Sequence, residues 1–155
     1  MKNTVNYIPA GFHTATPYLV IRNAVAAIDF YKKAFGAQEL FRMSKPDGTV
    51  THGEFAIGDS RFMFTDAAAM HSSSPEDLKG TPVSIYLYVE NSDAVFQKAL
   101  SAGAKAVMPV QDMFWGDRYG RLTDPFGHQW HIATHKEDVA PEEMEKRAAS
   151  AMQPA

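Results

Sequence analysis

Apolar residues along this chain recur in two periods, and the alternation between them is written twice. Between Val20 and Glu39 (VIRNAVAAIDFYKKAFGAQE) a strand end gives way to helical spacing of Val25, Ile28, Tyr31 and Phe35. Asn23 stands at the cap before that helix and Gly36 just after it, where a left-handed residue is needed. Between Leu87 and Ala106 (LYVENSDAVFQKALSAGAKA) the order repeats, with Val95, Phe96, Ala99 and Leu100 on the apolar stripe. The pairs Gly36-Ala37 and Gly103-Ala104 lie about 67 residues apart, a period too long for a solenoid and right for a duplicated half-domain.

Around these helices the period-two segments predict strands at 16–22, 38–43, 49–57 and 60–66, and again at 83–90, 105–110, 118–123 and 128–134. Lys45-Pro46-Asp47-Gly48, Gly58-Asp59 and Asp124-Pro125-Phe126-Gly127 read as turns. Each half is therefore βαβββ, residues 14–66 and 82–135, within a single α+β domain spanning 1–155. Residues 67–81 (AAAMHSSSPEDLKGT) are small and polar and predict a mobile linker. Pro141, followed by Glu142 and Glu143, opens a C-terminal helix over 141–152 with Met144, Ala148 and Met152 on one stripe. In each module the helix covers one sheet face, and a ligand would take the other.

Composition narrows the partners. A net charge of -3 offers no electrostatic attraction to nucleic acid or anionic membranes, and no apolar run is long enough to span a bilayer. The first residues (MKNTVNYIPAGFH) lack the apolar centre of a signal peptide, so a cytoplasmic protein is expected. Zero cysteines exclude disulfides, thiolate metal sites and cysteine nucleophiles.

Strand alternation then assigns the candidate chemistry to faces. Opposite the helices fall Thr16, Tyr18 and Val20; His52 and Glu54; Ser84, Tyr86 and Tyr88; Gln129 and His131. Aromatic walls with a few convergent polar groups suit a small molecule. His52 and Glu54, two residues apart, read as metal ligands, an acid/base pair or a solvated sheet face. His131 reads as a ligand, a general base or a hydrogen-bonded cleft residue. Tyr86 and Tyr88 either line the site or simply pack. Trp130 and His128 read as structural, and Asp124 as the stabiliser of its own turn. In the connection 111–119 the run Met113-Phe114-Trp115 is a lid or an interface patch, with Gly116 as a hinge. Arg118 beside it meets an anionic substrate group or pairs with Asp117 or Asp112. His131 and Glu54 are thus the catalytic candidates; Tyr18, His52, Ser84, Tyr86, Tyr88, Trp115, Arg118 and Gln129 are the ligand-binding ones.

The double βαβββ pattern, with IDFYKKAFGA at 28–37 and DPFGHQW at 124–130, resembles the vicinal oxygen chelate superfamily. That superfamily includes glyoxalase I, bleomycin- and fosfomycin-resistance proteins and extradiol dioxygenases. The string GDRYGRLTDPFGHQW at 116–130 is similar to its PhnB-like, glyoxalase-related branch, and the resemblance covers residues 14 to 135. It implies a glyoxalase/bleomycin-resistance-type cleft holding one divalent metal from four strands. By position those ligands fall on Thr16, Met63 or Thr65, Ser84 and His131. Only His131 is a good ligand type, so no metal is expected at that position and no other cofactor is indicated.

Three functions follow as expectations. One is a metal-free protein that binds a small molecule in the tyrosine- and histidine-lined cleft. Another is a metal-dependent lyase, isomerase or transferase using a rearranged site of His131 with His52 and Glu54. The third is metal-free acid/base catalysis by His131 or Glu54. Exposed strand edges and open sheet faces predict a homodimer, with the 113–115 loop and the last helix as contacts and the linker permitting module exchange.

Overall fold

The computed structural model describes residues 5–151, and its contacts divide the chain after Lys79 into two compact units. The first runs β1 (Tyr18–Ile21), α1 (Ala24–Phe35), β2 (Gln38–Ser44), β3 (Val50–Ile57), β4 (Ser60–Asp66), α2 (Ala67–Met70) and α3 (Pro75–Leu78). The second runs β5 (Ser84–Tyr88), α4 (Ser92–Ser101), β6 (Lys105–Asp112), β7 (Asp117–Thr123), β8 (Gln129–His135) and α5 (Pro141–Ala151). Each unit folds one four-stranded sheet, in the orders β1-β4-β3-β2 and β5-β8-β7-β6. In both, the first and last strands pair in parallel and the rest antiparallel. The chain has the expected α+β architecture of two βαβββ modules with a C-terminal helix.

The helices form where capping and spacing predict. In α1 the residues Ala24, Ala27, Ile28, Phe30, Tyr31 and Ala34 are buried. Val25, assigned to that stripe from sequence, is instead 39% exposed, because Ala24 and Ala27 bring the backbone close to the sheet and rotate it outward. Asn23 accepts from the Ala26 amide in a left-handed conformation (φ 65°), which asparagine tolerates better than most residues. Behind α1, Tyr31 stacks on Phe55 at 5.4 Å and Phe55 on Phe62 at 4.8 Å. The second core is built on Phe96, Leu122, Trp130 and Ile132. Two glycines let these groups approach the sheet: a Cβ on Gly53 would sit 2.3 Å from the Phe64 ring, and one on Gly120 would sit 2.8 Å from Val110.

The stretch expected as a linker contains the boundary between the units and two short helices, α2 and α3. Helix α3 begins with a capping box in which Ser74 accepts from the Asp77 amide and the Asp77 carboxylate accepts from the Ser74 amide. Arg22 closes on Asp77 from the end of β1. Two of the stretch's polar residues, Ser74 and Asp77, serve as caps.

The 111–119 connection shrinks likewise. Strands β6 and β7 extend toward each other, leaving a turn in which the Gly116 amide donates to the Met113 carbonyl at 3.0 Å. Gly116 is no hinge: its φ is 98° and a Cβ would lie 2.2 Å from the Glu137 carbonyl oxygen. Its own carbonyl accepts from the Lys136 and Glu137 amides. On α5 no residue is buried; Arg147 ties the helix to Glu137 while also pairing with Glu143. Met152 of the proposed stripe lies outside the described residues. No helix among the described residues is long and apolar enough to cross a membrane.

Candidate functional site

The sheet face opposite α4 carries the denser chemistry. Ladder register sets Tyr86 beside His131 and His131 beside Arg121. The Tyr86 ring stacks on His131 (5.4 Å, 19°) and on Tyr119 (5.8 Å, 24°). Tyr119 and His131 share a hydrogen bond of 2.6 Å between the hydroxyl and Nδ1. Among the described residues, His131 Nε2 makes no hydrogen bond. Burial, and then the Arg121 charge, hold the His131 pKa below the usual imidazole value, so the ring is neutral near pH 7. Burial also raises the Tyr119 hydroxyl.

A buried carboxylate organises this face. Asp117, 3% exposed, accepts at Oδ2 from the Tyr86 hydroxyl (3.0 Å), the Tyr88 hydroxyl (3.2 Å) and Trp115 Nε1 (3.2 Å). Its Oδ1 faces His135 Nδ1 at 2.8 Å, and His135 Nε2 reaches Asp138 at 2.9 Å. Burial pushes the Asp117 pKa up, but bonds from His135, Tyr86, Trp115 and Tyr88 outweigh it, and the net shift is downward. The Asp117 bond, with Asp138 behind it, raises His135 above the usual histidine value. Tyr86 and Tyr88 are both raised, by burial first and then by Asp117.

In the first unit the corresponding face is simpler. Tyr18 lies beside Met63 and Met63 beside Glu54 in the ladder. His52 makes two long contacts, 3.5 Å from Nδ1 to the Tyr18 hydroxyl and 3.4 Å from Nε2 to Glu54 Oε1. Both lie near the outer limit of a hydrogen bond.

Of the residues singled out from sequence, Tyr86, Tyr88, Trp115 and His131 are brought together in the second unit, and Tyr18, His52 and Glu54 in the first. Ser84 and Gln129 are ladder neighbours on the second unit's face. Arg118 is not among them. Alternation sends it to the helix side, where it clamps Asp93 of α4 at 2.7 Å and Asp112 at 3.1 Å. Sequence reading missed Asp117, Tyr119, Arg121 and His135. The signal available for three of them was parity within β7, since residues 117, 119 and 121 alternate with the core positions 120 and 122. Trp130 and Asp124 hold as structural: Asp124 accepts from the Phe126 and His128 amides and from Trp130 Nε1.

The positions at which the resemblance places a metal do not fit one. Thr65 is fully buried and its hydroxyl donates to the Val50 and Thr51 carbonyls. Met63 offers a thioether, Thr16 and Ser84 neutral hydroxyls, and His131 has Nδ1 engaged by Tyr119. Among the described residues, no three or more His, Cys, Asp or Glu side chains form a group able to hold a metal ion. Concavities of about 420 Å³ near Arg22 and Asp66 and about 280 Å³ near Ser92 and Arg118 sit at the N-termini of α1 and α4, and neither is lined by Tyr86, Tyr119 or His131.

The profile of the Glyoxalase/Bleomycin resistance protein/Dioxygenase superfamily matches residues 12–132. The chain belongs to that superfamily. It is 42% identical over 139 residues to the uncharacterized protein Mb0911c of Mycobacterium bovis, covering 87% of this chain and 91% of the relative. Among solved structures, the Arabidopsis thaliana At5g48480 product superposes with a TM-score of 0.66 at 29% identity, covering 79% of this chain and 98% of that one. A PhnB protein from Bacillus cereus shares the fold, with a TM-score of 0.64 at 23% identity over 79% of this chain and 99% of that one. As a superfamily member the chain shares a fold that hosts several chemistries, so its own function has to be argued from its site.

Proposed function

We propose that this superfamily member is a cytoplasmic, metal-independent protein that binds a small, flat molecule against the Tyr86–Tyr119–His131 face of its second unit. The observation that carries this reading is the fixed aromatic platform. Two rings stack nearly parallel to Tyr86, while Asp117 anchors the Tyr86 and Tyr88 hydroxyls and the Trp115 indole. Rings held in place by buried hydrogen bonds lose little entropy when a ligand stacks on them. Tyr86 and Tyr88 remain 41% and 66% exposed, within reach of a ligand. Ser84 and Gln129 on the same ladder supply adaptable polar contacts.

The open Nε2 of a neutral His131 also supports a second reading, in which the face performs acid/base catalysis on the bound molecule. Tyr18, His52 and Glu54 form the first unit's own polar set, with Glu54 as its proton acceptor.

A screen of flat aromatic fragments against the labelled protein by NMR tests the binding reading. Hits should shift Tyr86, Tyr88, Tyr119 and His131, and Tyr86→Ala should weaken them about tenfold. Hits that cluster only on other surfaces would sink it. Elemental analysis of protein purified without chelator should find zinc, nickel, iron and manganese far below one per chain. One metal per chain surviving dialysis would redirect attention to His131 with His52 and Glu54. Exposed Leu40, Phe41 and Met43 on the edge strand β2 support a homodimer, for which light scattering should give twice the chain mass.

A further inference from the structure

One charged group on the candidate face has no counterpart. Arg121 lies on β7 two residues beyond Tyr119, in register with His131. Alternation places it on the tyrosine–histidine side, and its charge acts on both Tyr119 and His131. Its Nε is buried and makes no hydrogen bond. Among the described residues no carboxylate forms an ion pair with it, whereas the other two arginines of this unit are each clamped by two: Arg118 by Asp93 and Asp112, Arg147 by Glu137 and Glu143.

The carboxylate on the same face cannot serve. Asp117 already takes His135 on one oxygen and three donors on the other. A guanidinium cannot shed its proton to escape burial, and with Nε–H lacking an acceptor and no carboxylate paired to it the Arg121 charge is unanswered among the described residues. The two Nη groups, which are not among the buried unpaired atoms, form the donor edge that matches an oxyanion side by side.

We infer that the molecule bound on this face carries an oxyanion, a carboxylate or a phosphonate-type group, received by Arg121 while its flat body stacks against Tyr86 and His131. The inference rests on the binding reading above and adds the substrate class: an aromatic or conjugated organic acid. The chemistry of the fork is shared by both kinds of oxyanion, and shape and charge at the site decide between them.

The full chain, labelled with ¹⁵N and held in phosphate-free buffer, is titrated with benzoate, with phenylphosphonate and with benzamide, the neutral analogue of benzoate. Benzoate or phenylphosphonate should shift Tyr86, Tyr119, Arg121 and His131 signals saturably, and benzamide should bind at least about tenfold more weakly. The stronger of the two anions names the preferred oxyanion. Arg121→Gln should reduce the anion to the level of benzamide, and Arg121→Lys should retain part of the difference. If Arg121→Gln does not fold, the benzoate-to-benzamide ratio on the unmodified protein and the Arg121→Lys variant decide the matter. Equal binding of benzamide and both anions on this face would overturn the oxyanion while leaving the face as a binding site. So would an Arg121→Gln protein that binds the anions unchanged. If none of the three compounds shifts the face at millimolar concentration, the binding reading and the inference fall together.

Discussion

The two units share a scaffold and differ in what they hang on it. Their ladders superimpose position by position: Tyr18, Met63 and Glu54 in the first correspond to Tyr86, His131 and Arg121 in the second. Gly53 beside Phe64 corresponds to Gly120 beside Ile132, and β2 and β6 both bulge at the matching residue, Leu40 and Val107. The first unit buries the carboxylate Asp66 and the second buries Asp124, which holds its own turn and Trp130, and Asp117, whose clients are of another kind. Asp66 accepts from two backbone amides, Ala24 at 2.7 Å and Val50 at 2.6 Å, and so caps α1 and closes β3. Asp117, at the place that Val50 occupies in the first unit, accepts from side chains on the ligand face. A carboxylate serving backbone is architecture; one serving tyrosines, a tryptophan and a histidine prepares a surface for something else. The two units keep the positions where backbone must approach closely and differ in the facing side chains, an acid–histidine pair in the first and a cation with a tyrosine-braced histidine in the second.

The largest effect should separate the two carboxylates. Asp66→Ala strands two buried amides and should cost about 4 kcal/mol, whereas Asp117→Ala releases tyrosine hydroxyls that water can reach and should cost about 2 kcal/mol. Urea denaturation measures both. Comparable losses would mean that Asp117 is as architectural as Asp66.

The matched glycines should come next. Gly53→Ala drives a methyl into an aromatic ring 2.3 Å away and should cost about 3 kcal/mol. Gly120→Ala meets the tips of Val110 and Phe96 at 2.8 and 3.0 Å, which can shift, so about 1 kcal/mol is expected. A reversed order in denaturation midpoints would show that the second core is the more rigidly packed.

Helix caps should differ more modestly. Asn91→Ala removes an acceptor from an extended cap residue and should cost about 1 kcal/mol. Asn23→Ala also forces alanine into the left-handed region and should cost about 2 kcal/mol. Asn23→Gly should recover most of that loss in a thermal melt. If it does not, the Asn23 side chain matters more than its backbone.

Smallest in stability but sharpest as a signature is histidine titration within the second unit. The lowered His131 pKa means stability is fully present above the ordinary value near 6.5 and lost as pH falls through the folded value. The raised His135 pKa means the opposite: its contribution is present below the ordinary value and lost as pH rises through the folded one. In an NMR titration His131 should therefore reach its midpoint before His135 as pH rises. Asp117→Asn should bring His135 down toward the ordinary value and leave His131 nearly unmoved. Coincident midpoints would remove the distinction between the two rings.

Much of the fold was legible because the signals are local. Helix α1 runs over 24–35 as its cap, stripe and terminal glycine predict, and β4 over 60–66 as its alternation predicts. Alternation also placed Tyr86, Tyr88 and His131 on one face. Local signals decide less where a polar residue has two uses. Ser74 and Asp77, within the stretch expected as a linker, form a capping box, and Arg118, open to an anionic group or a neighbouring aspartate, pairs with Asp112 and with Asp93 of α4. Asp117 lies in the connection expected at 111–119, one residue before the strand expected at 118–123, and Tyr119 and Arg121 carry no motif of their own within that strand.

By itself, then, the sequence determined the duplication, the strand and helix order and the aromatic character of the site, because these depend on periodicity and on residues a few positions apart. Only the tertiary structure decided which charges are answered. Asp93 lies 25 residues before the Arg118 it neutralises, and Tyr86 lies 31 before the Asp117 that anchors it. Nothing local marks Arg121 as different from Arg118, three residues away on the same strand. One residue's parity sends Arg118 to two carboxylates and leaves the buried Nε of Arg121 without an acceptor, and pairing across a folded sheet is what makes that difference visible.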